Sequence, residues 1–447
     1  FFSMLEQQHA TPSASASLSE WLHYLDGLHP SEIDMGLDRI KKVAQHLALD
    51  TSSIKIVVAG TNGKGSTCAM LESILLAAGY KVGLYTSPHL VDFNERARIQ
   101  GDALQDEAFV AAFVKVEQAR MLVNESLTYF EFTTLAVLHV FAHANLDVMV
   151  LEVGLGGRLD AVNIVDADCS IVTSIALDHM NYLGNTREKI GFEKAHVFRP
   201  HRPAICADPV PPQSLLDYAQ EIEADLWLIG KDFNYSGDKQ QWAFAGRGKR
   251  RNALAYPALR GANQLLNAAG ALAALEALGD RLAVPQQAVR QGLIQAALPG
   301  RFQIMPGQPT VILDVAHNPH ATAVLEKNIS NMGFAPFTYA VFGMLSDKDI
   351  EGVVQAISPR IDGWFCCDLP GSRGLSGSDL VTRVRSSVVP TSDQVETPPT
   401  IESCGSPEQA YSLALARANP NDRIVVFGSF LTVSAILQSL NKRSNKA

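Results

Sequence analysis

The chain has 447 residues, 47% hydrophobic and 19% charged, a balance that suits two or three packed domains and excludes global disorder. Lysine and arginine number 37 against 46 aspartates and glutamates, a net charge of −9, so no basic field dominates and neither nucleic acid nor an anionic membrane is an expected partner. The six cysteines, none spaced C-x-x-C, read as reduced thiols of a cytoplasmic protein, and no apolar run reaches the roughly 18 residues of a membrane helix.

Residues 1–17 read as a flexible lead-in. They lack the basic and apolar regions of a signal peptide, and Met4 is a candidate native start. Ile54–Ala59 has the pattern of a buried strand. A glycine-rich turn follows, then a helix from about Gly65 to Ala78 that Gly79 closes. A strand over 81–86, a helix over 131–145 and buried strands over 147–153 and 169–175 continue the alternation. Residues 236–254 turn polar and suggest β-hairpins, before a helix over 262–278. Pro299 and Gly300 mark a linker, after which the rhythm restarts: strands over 311–315, 337–342, 363–367 and 423–427, with helices over 320–331, 348–357, 378–387 and 407–418. The class is α/β with mainly parallel sheets. The expected division is a larger unit over 18–298 and a smaller one over 299–447.

The strongest chemical signal is Gly60-Thr61-Asn62-Gly63-Lys64-Gly65-Ser66, between a strand and a helix. Backbone N–H groups of such a turn and the helix N-terminus cradle anions, and Lys64 reaches outer phosphates. Only two residues separate Gly60 from Gly63, so this is a variant of the strict P-loop. Glu152 ends a strand before Gly154 and Gly156. The third glycine of a dinucleotide fingerprint is missing, because Leu159 stands in its place, so a metal site or a buried carboxylate are the readings left open. Asp178-His179 follows another strand. Ser87 precedes Pro88 in what is ordinarily a turn. Lys194, beside Glu193 on a helix predicted over 186–198, reads by itself as half of a solvated ion pair. Asp314, His317 and Asn318 fall in a βα loop, and Arg301 lies in the linker.

Together these segments resemble the Mur ligase superfamily, and more closely its bacterial bifunctional dihydrofolate synthase/folylpolyglutamate synthases. The matching stretches include Thr86-Ser-Pro-His-Leu90, Leu127-Thr-Tyr-Phe-Glu131, Leu151 through Ala161, Glu193-Lys-Ala195, Leu298-Pro-Gly-Arg-Phe302, Asp314-Val-Ala-His-Asn-Pro319, Gly343 through Lys348 and Gly428-Ser-Phe430, in family order. The resemblance implies a P-loop-like ATPase domain followed by a Rossmann-like glutamate-ligase domain. It implies ATP-dependent ligation of L-glutamate to dihydropteroate or folates through an acyl phosphate. Thr61, Asn62, Gly63 and Lys64 would hold ATP phosphates, with Asn263, Arg301 and Asp314 on the nucleotide and His317 toward the γ-phosphate. Ser87, Glu152 and His179 would hold Mg²⁺, two ions in all, joined by Lys194 as a carbamate made with CO₂. Asp34, Met35, Gly36, Leu37, Thr128, Tyr129, Phe130, Glu131, Leu159, Asp160 and Ala161 would line the pterin-bearing substrate. One position departs from the pattern: His196 stands where the family has glycine. The partners implied are small molecules met by a monomer. A folylpolyglutamate synthase without the first activity, and a nucleotide-binding pseudoenzyme, remain the alternatives.

Overall fold

The uninterrupted apolar runs are strands covered on both faces, as parallel sheets require. The structure, a computed structural model, describes residues 10–391 and 397–444; residues 1–9 of the expected lead-in lie outside the described residues. Strands β1 (Ile54–Ala59), β2 (Val82–Tyr85), β3 (Ala97–Ile99), β4 (Asp102–Ala103), β5 (Val148–Glu152), β6 (Cys169–Val172), β7 (Pro203–Cys206) and β8 (Asp225–Leu228) form one sheet in the order β4-β3-β2-β5-β1-β6-β7-β8. Strands β2, β5, β1, β6, β7 and β8 run parallel, and β3 and β4 add an antiparallel edge. Alternation divides the core. Val57, Ala59, Met149 and Leu151 pack on one face, Ile56, Val58, Val148 and Val150 on the other. The polar stretch after β8 forms a three-stranded antiparallel sheet of β9 (Asn234–Gly237), β10 (Trp242–Ala245) and β11 (Arg250–Leu254).

The third sheet has the order β12-β13-β17-β14-β15-β16, with β12 (Gln303–Met305), β13 (Thr310–Leu313), β14 (Thr338–Phe342), β15 (Gly363–Cys367), β16 (Thr400–Cys404) and β17 (Arg423–Phe427). Only β12 is antiparallel. It has its own two-faced core, Ile312, Phe342 and Trp364 on one side and Leu313, Val341 and Phe365 on the other. Helices connect the parallel strands, so the loops that leave the strands' C-terminal ends collect at one edge of each sheet. The two edges face each other across a cleft of about 1270 Å³.

The predicted helices recur with their ends moved by a few residues, as at Lys64–Ala77, Tyr129–Ala142 and Arg187–Ala195. Of the described lead-in residues, Thr11 bonds the Glu117 carboxylate at 3.2 Å, Trp21 donates to the Ser13 carbonyl at 3.2 Å, and Ser17 caps the helix Leu18–Asp26. All six cysteines are free and buried, and among the described residues no helix is long and apolar enough to cross a membrane.

Candidate active site

The first wall of the cleft begins at the C-terminal end of β1. Gly60 has φ +144° and Gly63, capping the helix Lys64–Ala77, has φ +88°. A side chain at either position would also strike a neighbour, Thr173 or Asn267, so the turn is glycine by conformation and by space. Two bonds pin it to the loop after β6: Thr61 N to the Ser174 carbonyl at 2.8 Å and Asn62 N to Ser174 Oγ at 3.0 Å. Lys64 Nζ curls back onto the Gly60 carbonyl at 2.8 Å. Burial pulls its pKa down, opposed by Glu152 and Asp178. A half-buried cation held over a backbone N–H turn is a phosphate receptor.

Glu152, the last residue of β5, is buried, and its Oε2 accepts from Ser87 N at 3.3 Å. Burial raises its pKa, with Lys64 and Arg301 opposing. His179 follows β6 in a left-handed conformation, φ +49°, a strained position of the kind found at functional sites. Its Nδ1 is buried without a hydrogen-bond partner, and burial pulls its pKa to about 4, which leaves a neutral imidazole. Among the described residues no three His, Cys, Asp or Glu side chains make a metal group.

Lys194 is not half of a surface ion pair. It is 3% exposed and lines the cleft; burial and Lys64 pull its pKa down to about 7, so a neutral amine is accessible. Glu193 pairs instead with Arg158, at 3.0 and 3.1 Å. Arg158 N also donates to the Glu193 carbonyl at 2.8 Å. Gly157 lies so close to Lys194 that a Cβ there would come within 3.1 Å of its Cα. The loop after β5 thus presses on the helix and covers the lysine. His196 turns away: its ring stacks on Tyr218 with centroids 3.8 Å apart and its Nδ1 meets the Phe192 carbonyl at 2.6 Å.

The second wall comes from the third sheet. Asp314 follows β13 and accepts N–H bonds from Phe302 at 3.0 Å and Ala316 at 2.8 Å. Burial raises its pKa against Arg301. Arg301 lies over the Phe430 ring at 5.3 Å. Asn263, at the start of the helix Gln264–Ala277, lines the cleft beside them. Across the gap, Asn62 and Asn318 exchange amide bonds at 3.0 and 3.2 Å. Asp178 receives Lys348 Nζ at 2.8 Å, Asn318 Nδ2 at 3.2 Å and His317 Nε2 at 3.4 Å. Burial alone would raise the Asp178 pKa; His317, Lys348 and His179 outweigh it and hold the carboxyl well below its usual range.

The eleven positions expected to line the pterin gather elsewhere. None is in the cleft wall; several pack behind the Gly154–Gly156 turn that is. Phe130 covers Gly154, and Met35 approaches Gly156. Asp160 accepts from Leu155 N at 2.8 Å and Val162 N at 2.9 Å, its pKa raised to about 7 by burial. Leu159 and Ala161 flank it. Thr128 caps the helix Tyr129–Ala142, with Glu131 completing the capping box. Arg39 joins Glu131, at 2.7 Å, to Asp34, at 3.0 Å, beside Gly36 and Leu37. Sequence reasoning noticed Asp178, Asn318 and Lys348 only as motif members. Their partners lie 140 and 170 positions away, and the one local signal was a carboxylate beside His179.

Two family models match parts of the chain. Residues 58–275 match the Mur ligase middle domain and residues 300–430 the Mur ligase glutamate ligase domain. The chain is 45% identical over 434 residues to the dihydrofolate synthase/folylpolyglutamate synthase of Escherichia coli K12, covering 97% of this chain and 98% of that one. Escherichia coli FolC solved in complex with DHPP and ADP superposes with a TM-score of 0.90, at 45% identity, over 97% of this chain and all of that one. A bifunctional folylpolyglutamate synthase/dihydrofolate synthase with Mn, AMPPNP and L-glutamate bound gives a TM-score of 0.87 at 43% identity, covering 96% and 100%.

Proposed function

This chain belongs to the dihydrofolate synthase/folylpolyglutamate synthase family of Mur ligases, and from that premise we propose that it is the ATP-dependent ligase that adds L-glutamate to dihydropteroate and further glutamates to folates. The observation that carries the reading is the cleft itself. Lys64, Glu152 and His179 from one sheet share it with Arg301, Asp314 and His317 from the other side. A carboxylate is a poor electrophile, and phosphorylation gives it a leaving group. The acceptor oxygen attacks the γ-phosphorus, ADP departs, the amine of L-glutamate attacks the acyl carbon, and phosphate leaves. Thr61, Asn62, Gly63 and Lys64 receive the transferring phosphates, and Asn263, Arg301 and Asp314 hold the nucleotide. His317 faces the transferred group. The relatives bind ADP or AMPPNP, and one binds Mn.

The donor set suits a divalent cation: a hydroxyl at Ser87, a buried carboxylate at Glu152, a free Nδ1 at His179 and a buried amine at Lys194. Mg²⁺ bound there supplies charge neutralisation between two approaching anions. We infer that Lys194 is a carbamate formed with CO₂, which converts a buried amine into an anionic ligand, and that a pair of Mg²⁺ ions is held in all. The acceptor lies against the Gly154–Gly156 turn of the cleft, and we infer that Asp34, Met35, Gly36, Leu37, Thr128, Tyr129, Phe130, Glu131, Leu159, Asp160 and Ala161, several of which pack behind that turn, shape its site. The unit over 18–298 supplies the ATPase chemistry and the unit over 299–447 the glutamate site, in a cytoplasmic monomer that binds no nucleic acid. Incubation with ATP, Mg²⁺, L-glutamate and either dihydropteroate or tetrahydrofolate, followed by product mass, tests this. Glutamylation of both acceptors is expected. Reaction with tetrahydrofolate alone leaves a folylpolyglutamate synthase, and no glutamylated product leaves a pseudoenzyme.

A further inference from the structure

Beside Ser87 lies an arginine that the reaction as described does not use. Arg96 ends the short helix Phe93–Arg96, and its carbonyl accepts Thr86 N at 2.9 Å, which places it across from the segment that leads to Ser87. Its side chain is in the cleft wall. The guanidinium lies over two aromatic rings, Phe93 at 5.4 Å and Tyr129 at 5.5 Å, and the rings meet edge to face with centroids 6.0 Å apart. Nε donates to His89 Nδ1 at 2.8 Å. The loop beneath is fixed by Glu95, whose carboxylate accepts the N–H groups of Leu90, Val91 and Asp92 at 2.7–2.8 Å.

The neighbouring Glu95 carboxylate is therefore spent on backbone, and among the described residues Arg96 makes no ion pair, while its charge reaches the buried Glu152 and opposes the rise of that carboxyl's pKa. Two other arginines of the cleft are committed, Arg187 to Asp208 and Arg373 to Asp347 and Glu32, and Arg301 lies over Phe430 near Asp314. Aromatic faces and an imidazole fix the plane of a guanidinium without neutralising it. What remains is a planar fork with Nη1 and Nη2 unpartnered, the geometry that grips a carboxylate. The phosphate turn at Lys64 already accounts for ATP. Of the remaining anions, the carboxylates of L-glutamate do not react, and the acceptor's carboxylate is the one that must meet the γ-phosphate near Ser87 and Glu152.

We propose that Arg96 is a catalytic residue that binds the acceptor carboxylate through the oxygen that does not attack phosphorus, with His89 as its positioning residue. The inference rests on the ligase reading above. One carboxylate oxygen forms the bond to the γ-phosphorus as the bond to ADP breaks. The other stays on Arg96, which then stabilises the negative charge on that oxygen when the glutamate amine adds and before phosphate departs. Tyr129, which does not line the cleft, acts here by supporting the guanidinium.

Steady-state kinetics of wild type, Arg96→Gln, Arg96→Lys, His89→Leu and His89→Gln with tetrahydrofolate, ATP and L-glutamate test this, with thermal midpoints measured alongside. Arg96→Gln should lower kcat/KM for the acceptor by about 10²–10³-fold, the size of losing one oxyanion contact, with KM for ATP within about twofold. Arg96→Lys should recover part of it, because charge returns without the fork. His89→Leu should raise acceptor KM more than it lowers kcat, and His89→Gln, which can accept the Nε–H, should restore it; this pair reads the same contact if Arg96→Gln does not fold. An acceptor kcat/KM within about threefold of wild type in both Arg96→Gln and His89→Leu, or equal losses for ATP and acceptor with a lowered thermal midpoint, would overturn the inference. A wild type that releases no ADP on adding acceptor removes the ligase reading, and this inference with it, before any variant is compared.

Discussion

The two walls of the cleft are built differently. Groups of the first wall are fixed by backbone that belongs to one sheet: Thr61 and Asn62 are tied to Ser174, Glu152 ends a strand, and Lys194 is clamped under Gly157 and Arg158. The second wall meets the first mainly through side chains, at Asn62 with Asn318 and His320, at Asp178 with Lys348, Asn318 and His317, and at Asn328, which accepts from Ala262 N. A preformed charge site suits phosphoryl transfer, because donors fixed in place need no reorganisation at the moment of reaction. Contacts that break one by one suit a wall that must open for substrates and close over an acyl phosphate that water would destroy. Damage to the first wall should therefore remove chemistry, and damage to the second should alter coupling between substrates.

The largest effect is expected at Lys64. Lys64→Ala removes a charge-assisted contact worth about 2–4 kcal/mol in the transition state, a fall in kcat of roughly 30- to 900-fold with an unchanged circular dichroism spectrum; near-normal kcat and ATP KM would show that the turn does not hold phosphate. Lys194→Ala should be almost as inactive, and a short-chain carboxylic acid should restore part of the rate by filling the space of the carbamate. Full activity without such an acid would sink the carbamate. For Glu152→Gln, which keeps shape and removes charge, the Mg²⁺ concentration at half-maximal rate should move upward, as it should for His179→Ala; identical titrations in both would remove them from the cation site. Where the walls meet, Asp178→Asn should keep ATP binding and raise KM for L-glutamate and acceptor several-fold, the signature of weaker closure, whereas an equal loss in every parameter would give Asp178 a part in the first wall's chemistry. The smallest effect belongs to His196→Gly. Its ring faces Tyr218, so activity should stay within about twofold, and a larger change would place the imidazole at the Lys194 site.

The first wall was more legible in sequence than the second. A strand, a turn that only glycines allow and a helix announce Lys64 within a dozen residues. A carboxylate ending a buried strand announces Glu152. Lys194 escaped because a helical period shows which residues share a face but not that a loop 36 positions earlier will cover them. Only the family resemblance singled it out. The strand Thr400–Cys404 escaped because it is an edge on which only Cys404 is buried, with polar residues where a buried run would be apolar. The antiparallel edge β3–β4 is too short to show a period. Asp178 and its partners escaped because pairing across 140 to 170 positions leaves no local trace. The resemblance named residues 34–37, 128–131 and 159–161 in one breath. The fold shows that one residue of each stretch, Met35, Phe130 and Asp160, meets the Gly154–Gly156 turn.

The central claim is that the cleft phosphorylates a carboxylate before it makes an amide. Tetrahydrofolate or dihydropteroate labelled with oxygen-18 in both carboxylate oxygens at the reacting position tests it in one turnover series with ATP, Mg²⁺ and L-glutamate. Attack of a carboxylate oxygen on the γ-phosphorus, then loss of that oxygen with phosphate, predicts inorganic phosphate carrying a single oxygen-18 for each amide formed. Amide formation with unlabelled phosphate would contradict the acyl phosphate, and with it the division of labour between the two walls.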